Sequence, residues 1–177
     1  MDLWAAGVWL TCDDNVVFVP QFRRDVLDTA AWLRSGGGSP LPFAGLPPEA
    51  THRRLMLCAR ADDETEADYE LRSQFEALRW GPAIDNVTTH LFRNVDRLVI
   101  TCEFWCEEHL LNDPRRAHQV YTVEIPTHEF VSILEDLAAV LDDAPATTVR
   151  DRLGREASAV GTTQNVEVGF RVSPIHE

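Results

Sequence analysis

The chain predicts an α+β fold: a mostly antiparallel β-sheet of about five or six strands packed with three or four helices. Three observations carry this. Short stretches of alternating hydrophobicity are joined by connections of hairpin length, notably residues 87–93 and 97–106 across Asn94-Val95-Asp96. Separate stretches place apolar residues at helical spacing, the strongest being Phe130, Ile133, Leu134, Leu137 and Leu141. No strand–helix–strand alternation runs through the sequence, which argues against a parallel sheet. The 177 residues are 45% hydrophobic and include five Trp and eight Phe, enough apolar side chain for one domain, 1–177, with a real core.

Taken in order, residues 3–11 and 16–19 flank Cys12-Asp13-Asp14-Asn15 and read as a hairpin, with Pro20 stopping the second strand. Phe22, Val26, Ala30 and Leu33 then mark a helix over 21–34. The Gly- and Pro-rich stretch 35–48 reads as a flexible surface loop. Residues 53–60 conflict: Leu55, Leu57 and Ala59 alternate as in a strand, whereas Pro48-Glu49 looks like a helix start. The alternation is taken as a strand. A helix over 64–80 follows, with an acidic start, a stripe of Ala67, Leu71, Phe75 and Leu78, and arginines toward its end. After the central hairpin come a third strand over 119–125, a helix over 127–142, a shorter helix near 147–158 and a half-buried strand over 165–172.

Sixteen arginines and no lysine face 29 carboxylates, a formal net charge of −13. Such a field repels nucleic acid and anionic membrane and attracts basic proteins. No apolar run reaches the roughly 20 residues of a membrane helix. The start, Met1-Asp2-Leu3-Trp4, lacks the basic n-region of an export signal, so a cytoplasmic location is expected and the four cysteines are expected as free, mostly buried thiols.

Motifs with chemistry of their own are scarce. Cys102, Cys106 and His109 have zinc-ligand chemistry, but strand residues four apart lie about 13 Å from each other, and zinc–sulfur bonds are about 2.3 Å. A bend after Trp105, or a helical turn there, would bring them together, and no metal or other cofactor is expected. Gly36-Gly37-Gly38 follows a helix instead of a strand and has no lysine to accompany it, unlike a phosphate-binding loop. Glu103 and Glu124, on adjacent strands, read as the solvated face of an antiparallel sheet.

That face is the candidate partner-binding surface. Thr101, Glu103 and Trp105 alternate on one strand and Glu124 joins them from the next, giving a tryptophan among carboxylates, the composition of a protein-binding hot spot. The competing reading covers this face with helices and makes Trp105 core. The acidic clusters at Asp13 and Asp14 and at Asp62, Asp63 and Glu64 are ordinary solvated turns singly, and together with the net charge favour a basic partner.

The stretch Gln119-Val-Tyr-Thr-Val-Glu-Ile-Pro-Thr-His-Glu-Phe-Val-Ser-Ile-Leu-Glu-Asp-Leu, a strand running through Ile-Pro into a Leu-rich helix, resembles the closing unit of several bacterial toxin-immunity proteins. The resemblance spans about 25 residues and transfers no functional residue. It implies a non-catalytic inhibitor that binds a basic toxin domain. Two other classes stay open: a small-molecule enzyme or ligand binder with a pocket between sheet and helices, and a homo-oligomeric structural or regulatory protein.

Overall fold

The computed structural model describes residues 2–5, 8–10, 18–59, 64–81, 84–105, 114–143 and 167–168. Near the N-terminus, β1 (Asp2–Ala5) pairs antiparallel with β2 (Val8–Trp9). The helices are α1 (Val19–Arg34), α2 (Pro48–Ala59), α3 (Glu66–Ser73) and α4 (Thr127–Asp143). Between α3 and α4 run β3 (Val87–Asn94), β4 (Arg97–Phe104) and β5 (Val120–Pro126), and β6 (Glu167–Val168) lies parallel to β1. The class is α+β. The sheet that organises it is the three-stranded antiparallel ladder β3-β4-β5, not one sheet of five or six strands.

The period-two alternation of β4 divides that sheet into two unlike faces. Leu98, Ile100, Cys102 and Phe104 point into a dry layer with Phe22, Val26, Ala30 and Leu33 of α1 and with Phe130, Leu134 and Leu137 of α4. Each buried Phe or Leu side chain there contributes about 1.5–3 kcal/mol of hydrophobic stabilisation. On the opposite face, Phe92 of β3 packs with Leu55 of α2 and Phe75. Beside this small apolar cluster the second face is polar, and α2 lies over it.

Four expectations need correction. Residues 48–59 form a helix, so the Pro48-Glu49 start prevails over the Leu55/Leu57/Ala59 alternation. A helix buries Thr51, His52, Leu55 and Met56 on one side and leaves Leu57 exposed. Pro20 lies at the first turn of α1 instead of ending a strand, where its missing N–H costs no helical hydrogen bond. The helix expected to reach residue 80 stops at Ser73. Beyond it, Phe75 O accepts from Leu91 N (2.9 Å), and Ala77 N donates to Thr89 O (3.1 Å), so the chain runs extended along β3. Leu78 and Gly81 then take left-handed backbone angles. Finally, the loop at 35–48 is tied to the same strand edge: Arg93 N donates to Ser39 O (2.8 Å), and the Arg54 guanidinium stacks on Phe43 at 4.0 Å. Together these two segments cover the outer edge of β3, which would otherwise present unpaired backbone groups.

Other elements match expectation closely. The central hairpin turns at Val95-Asp96, with Asn94 opposite Arg97 and Val95 at φ +56°. The buried stripes of α1 and α4 are those the spacing predicts, with Ile133 partly buried at the margin. Of the predicted strand over 16–19, residues 16 and 17 lie outside the described residues, while Phe18 caps α1 and Val19 begins it; the helix near 147–158 lies wholly outside them, and the strand over 165–172 does so apart from β6. No described helix is long and apolar enough to cross a membrane.

Candidate functional site

The polar face of the sheet holds four almost fully buried side chains that touch one another: His52, His90, Thr101 and Glu103. Strand register places two of them together, because His90 of β3 is paired directly with Thr101 of β4. Glu103 lies two residues further along β4, on the same face. His52 descends from the second turn of α2 between them. Its Nδ1 is 2.8 Å from Thr101 Oγ1 and its Nε2 is 3.1 Å from Glu103 Oε2. The two imidazoles meet edge to face, Nδ1 to Nδ1 at 3.0 Å. At the outer end, His118 Nδ1 lies 3.3 Å from the other Glu103 oxygen. His118 is half exposed and sits at φ +61°, an uncommon backbone angle for a non-glycine residue, held by its own N–H donating to Phe104 O (2.8 Å).

Hydrogen-bond bookkeeping limits where the protons lie. Both His52 nitrogens are engaged, Nε2 at Glu103 and Nδ1 shared between the Thr101 hydroxyl and His90 Nδ1, with the tautomers setting which group donates. His90 Nε2 is buried and has no partner among the described residues. A bare lone pair there costs less than a buried, unaccepted N–H would. Burial first, then the neighbouring His52 and the Arg72 guanidinium, push His90 down to about 3, against a smaller opposing pull from Glu103. His90 is therefore neutral near pH 7.

Chemically, this arrangement fastens α2 onto the sheet. Glu103 places one oxygen against each of two imidazoles and so joins α2 to the segment that leads into β5. A buried carboxylate behind a half-exposed imidazole is also the positioning half of a general base. Among the described residues, however, no Ser, Thr or Cys side chain is hydrogen-bonded to His118. No group of three or more His, Cys, Asp or Glu among the described residues is arranged to hold a metal ion.

The predicted binding patch is accordingly rearranged. Thr101 and Glu103 are not surface residues, because α2 covers them and His52 takes up both side chains. Glu124 is exposed, but pairs across the ladder with Arg97. Trp105 is neither core nor fully open: it is 48% exposed, and its ring N–H donates to the Asp85 carbonyl at 2.7 Å. Glu64 pairs with Arg72 at 3.0 Å. Asp13, Asp14, Asp62 and Asp63 lie outside the described residues, as do Cys106 and His109. Cys102 faces the dry layer, where burial pushes its thiol up to about 12.

Sequence reasoning missed His52 and His90. A lone histidine carries no motif, and reading 53–60 as a strand placed His52 off the element that delivers it. The helical alternative would have set His52 on the same side as Leu55 and Met56, facing the sheet.

The described surface carries open grooves. One of about 340 Å³ lies between α1 and residues 76–80, and includes Asp25, Asp28, Trp32, Glu76 and Arg79. A second, of about 350 Å³, lies on the other side of the same segment and includes Asp85 and Thr88. A third, of about 470 Å³, mixes Arg34 and Arg93 with Asp96 and Glu135. His52, His90, Glu103 and His118 line none of these three. Compared with known proteins, the chain matches no family model, no curated protein and no solved structure.

Proposed function

We propose that this chain is a non-catalytic acidic binding protein that neutralises a basic protein partner, as an immunity protein does with a toxin domain. The observation that carries the reading is the conjunction of a net charge of −13 with an exposed tryptophan beside carboxylates, Trp32 with Asp25 and Asp28. A field of that sign steers a cationic partner, and indole rings supply contact area at small entropic cost. The polar network suits this role by holding α2 rigidly without exposing the groups that form it.

The reading is tested by capturing partners of the tagged protein from its native host, with washes at low and high salt. The expected result is one stoichiometric basic protein, released by salt, that arrests growth when expressed alone and is relieved by co-expression of this chain. Recovery of the bait alone would overturn it.

A second reading, a small-molecule enzyme or ligand binder, is favoured by one feature: the half-exposed His118 backed by the buried Glu103 carboxylate. A ligand held there would move the His118 ring resonances at fixed pH, and Glu103→Gln would reduce that movement.

A further inference from the structure

The outward side of α1 has an organisation that its role in the core does not require. Asp25, Asp28 and Trp32 are spaced i, i+3 and i+7, so they form one stripe, displaced around the helix from the buried stripe of Phe22, Val26, Ala30 and Leu33. Together with the segment carrying Glu76, Leu78 and Arg79, this stripe walls the groove of about 340 Å³.

Charge in the groove is not balanced. Elsewhere on the described surface an arginine meets Glu64, Glu124, Glu135 and Asp142, and within the groove Glu76 meets both Arg72 and Arg79. Among the described residues, Asp25 accepts from the uncharged Gln21 amide alone, at 2.7 and 2.9 Å, and Asp28 has no cationic partner. Arg79, the guanidinium among the described lining residues, is already engaged by Glu76 at 3.3 Å. With Glu76 already met by two arginines, Asp25 and Asp28 are the lining carboxylates that no arginine meets among the described residues.

The tryptophan is also held in place. A methyl group built on Gly37 would lie 2.4–2.5 Å from three atoms of the Trp32 ring, namely Nε1, Cε2 and Cδ2. Such near-equal approach means that the indole lies flat over Gly37, where only a glycine leaves room. One face of the ring is thus fixed against backbone, at 39% exposure of the residue as a whole. A fixed indole with two uncompensated carboxylates on the same stripe suits a planar cation, which stacks on the ring while its forked N–H groups reach the carboxylates. An ammonium group offers neither the plane nor the fork.

We propose that this groove receives an arginine side chain of the basic protein partner. The inference rests on the inhibitor reading for the existence of that partner, and adds the surface and the recognised group. It is tested by titrating the protein with hexa-arginine and with hexa-lysine, reading affinity by calorimetry and following the Trp32 indole N–H of the parent by NMR. The expected result is tighter binding of hexa-arginine by about tenfold, with the Trp32 resonance shifting most. Trp32→Ala and the pair Asp25→Asn/Asp28→Asn should each weaken it by about tenfold, against less than about twofold for the charge-matched pair Glu129→Gln/Asp136→Asn on α4. Gly37→Ala, which displaces the ring and leaves every charge in place, should weaken it as well, and an unchanged thermal midpoint would show that each variant is folded. Equal affinity for both peptides, equal losses from the two charge pairs, or no binding would each overturn the groove. Capture of a native partner is a separate readout, so a failed groove beside a captured basic protein would leave the inhibitor reading in place on another surface.

Discussion

His90 illustrates how one buried side chain makes stability depend on pH. Its ring is surrounded by His52 from α2, by Glu103 from β4 and by the field of Arg72, and it is held neutral with a value of about 3, against an ordinary value near 6.5. Between those two values the unfolded chain binds a proton that the folded chain refuses. The His90 contribution is therefore complete above about pH 6.5 and declines as pH falls toward about 3, with a slope of about 1.4 kcal/mol per pH unit inside the window. Replacing His90 by Phe should remove that component, so chemical denaturation at a series of pH values would show a flatter profile than the parent. An unchanged slope would mean that other groups carry the acid sensitivity. Nothing in the sequence around His90 announces this, since its partners come from positions 38 residues before it and 11 and 13 after it. Only register and the descent of α2 bring them together.

At the scale of elements, α3 depends on its ends more than on its sides. It has eight residues and none is buried, so burial contributes little to holding it. Its N-terminus is closed by a capping box: Thr65 Oγ1 accepts from Asp68 N at 3.2 Å, while the Asp68 carboxylate accepts from Thr65 N at 3.3 Å. Thr65→Ala should cost about 1 kcal/mol, measurable as a lower urea midpoint with unchanged slope. Faster amide exchange confined to 66–73 would accompany it. The acidic start that marked this helix in the sequence is real. Its end was misjudged because helical spacing of Phe75 and Leu78 persists into a segment whose backbone is recruited by the edge of β3. Hydrogen bonding to a strand edge outweighs local propensity there.

The molecule as a whole carries far more negative charge than its surface ion pairs can offset. Self-repulsion works against the compact state, and it is screened as the Debye length falls from about 30 Å at 0.01 M salt to about 8 Å at 0.15 M. The thermal midpoint should therefore rise with sodium chloride over that range, followed by circular dichroism. A falling midpoint would show that the surface pairs of Arg23 with Asp142 and Arg34 with Glu135 matter more than the net field. The same field attracts a basic partner, so stability and association respond to salt in opposite directions.

By itself, the sequence determined the α+β class, the central hairpin, the buried stripes of α1 and α4, and the acidic field. Each depends on periodicity or composition, and these act over a few residues or over the chain as a sum. Tertiary structure decided which face of the sheet is covered, and by what. The alternation in β4 is equally compatible with solvent or a helix opposite Thr101 and Glu103, because a polar side chain tolerates burial once a partner satisfies its hydrogen bonds. His52 supplies that partner only after residues 48–59 choose helix over strand. The same choice removed Glu103 from the surface, while Asp25, Asp28 and Trp32 share the outward side of α1 with no arginine among the described residues paired to either carboxylate.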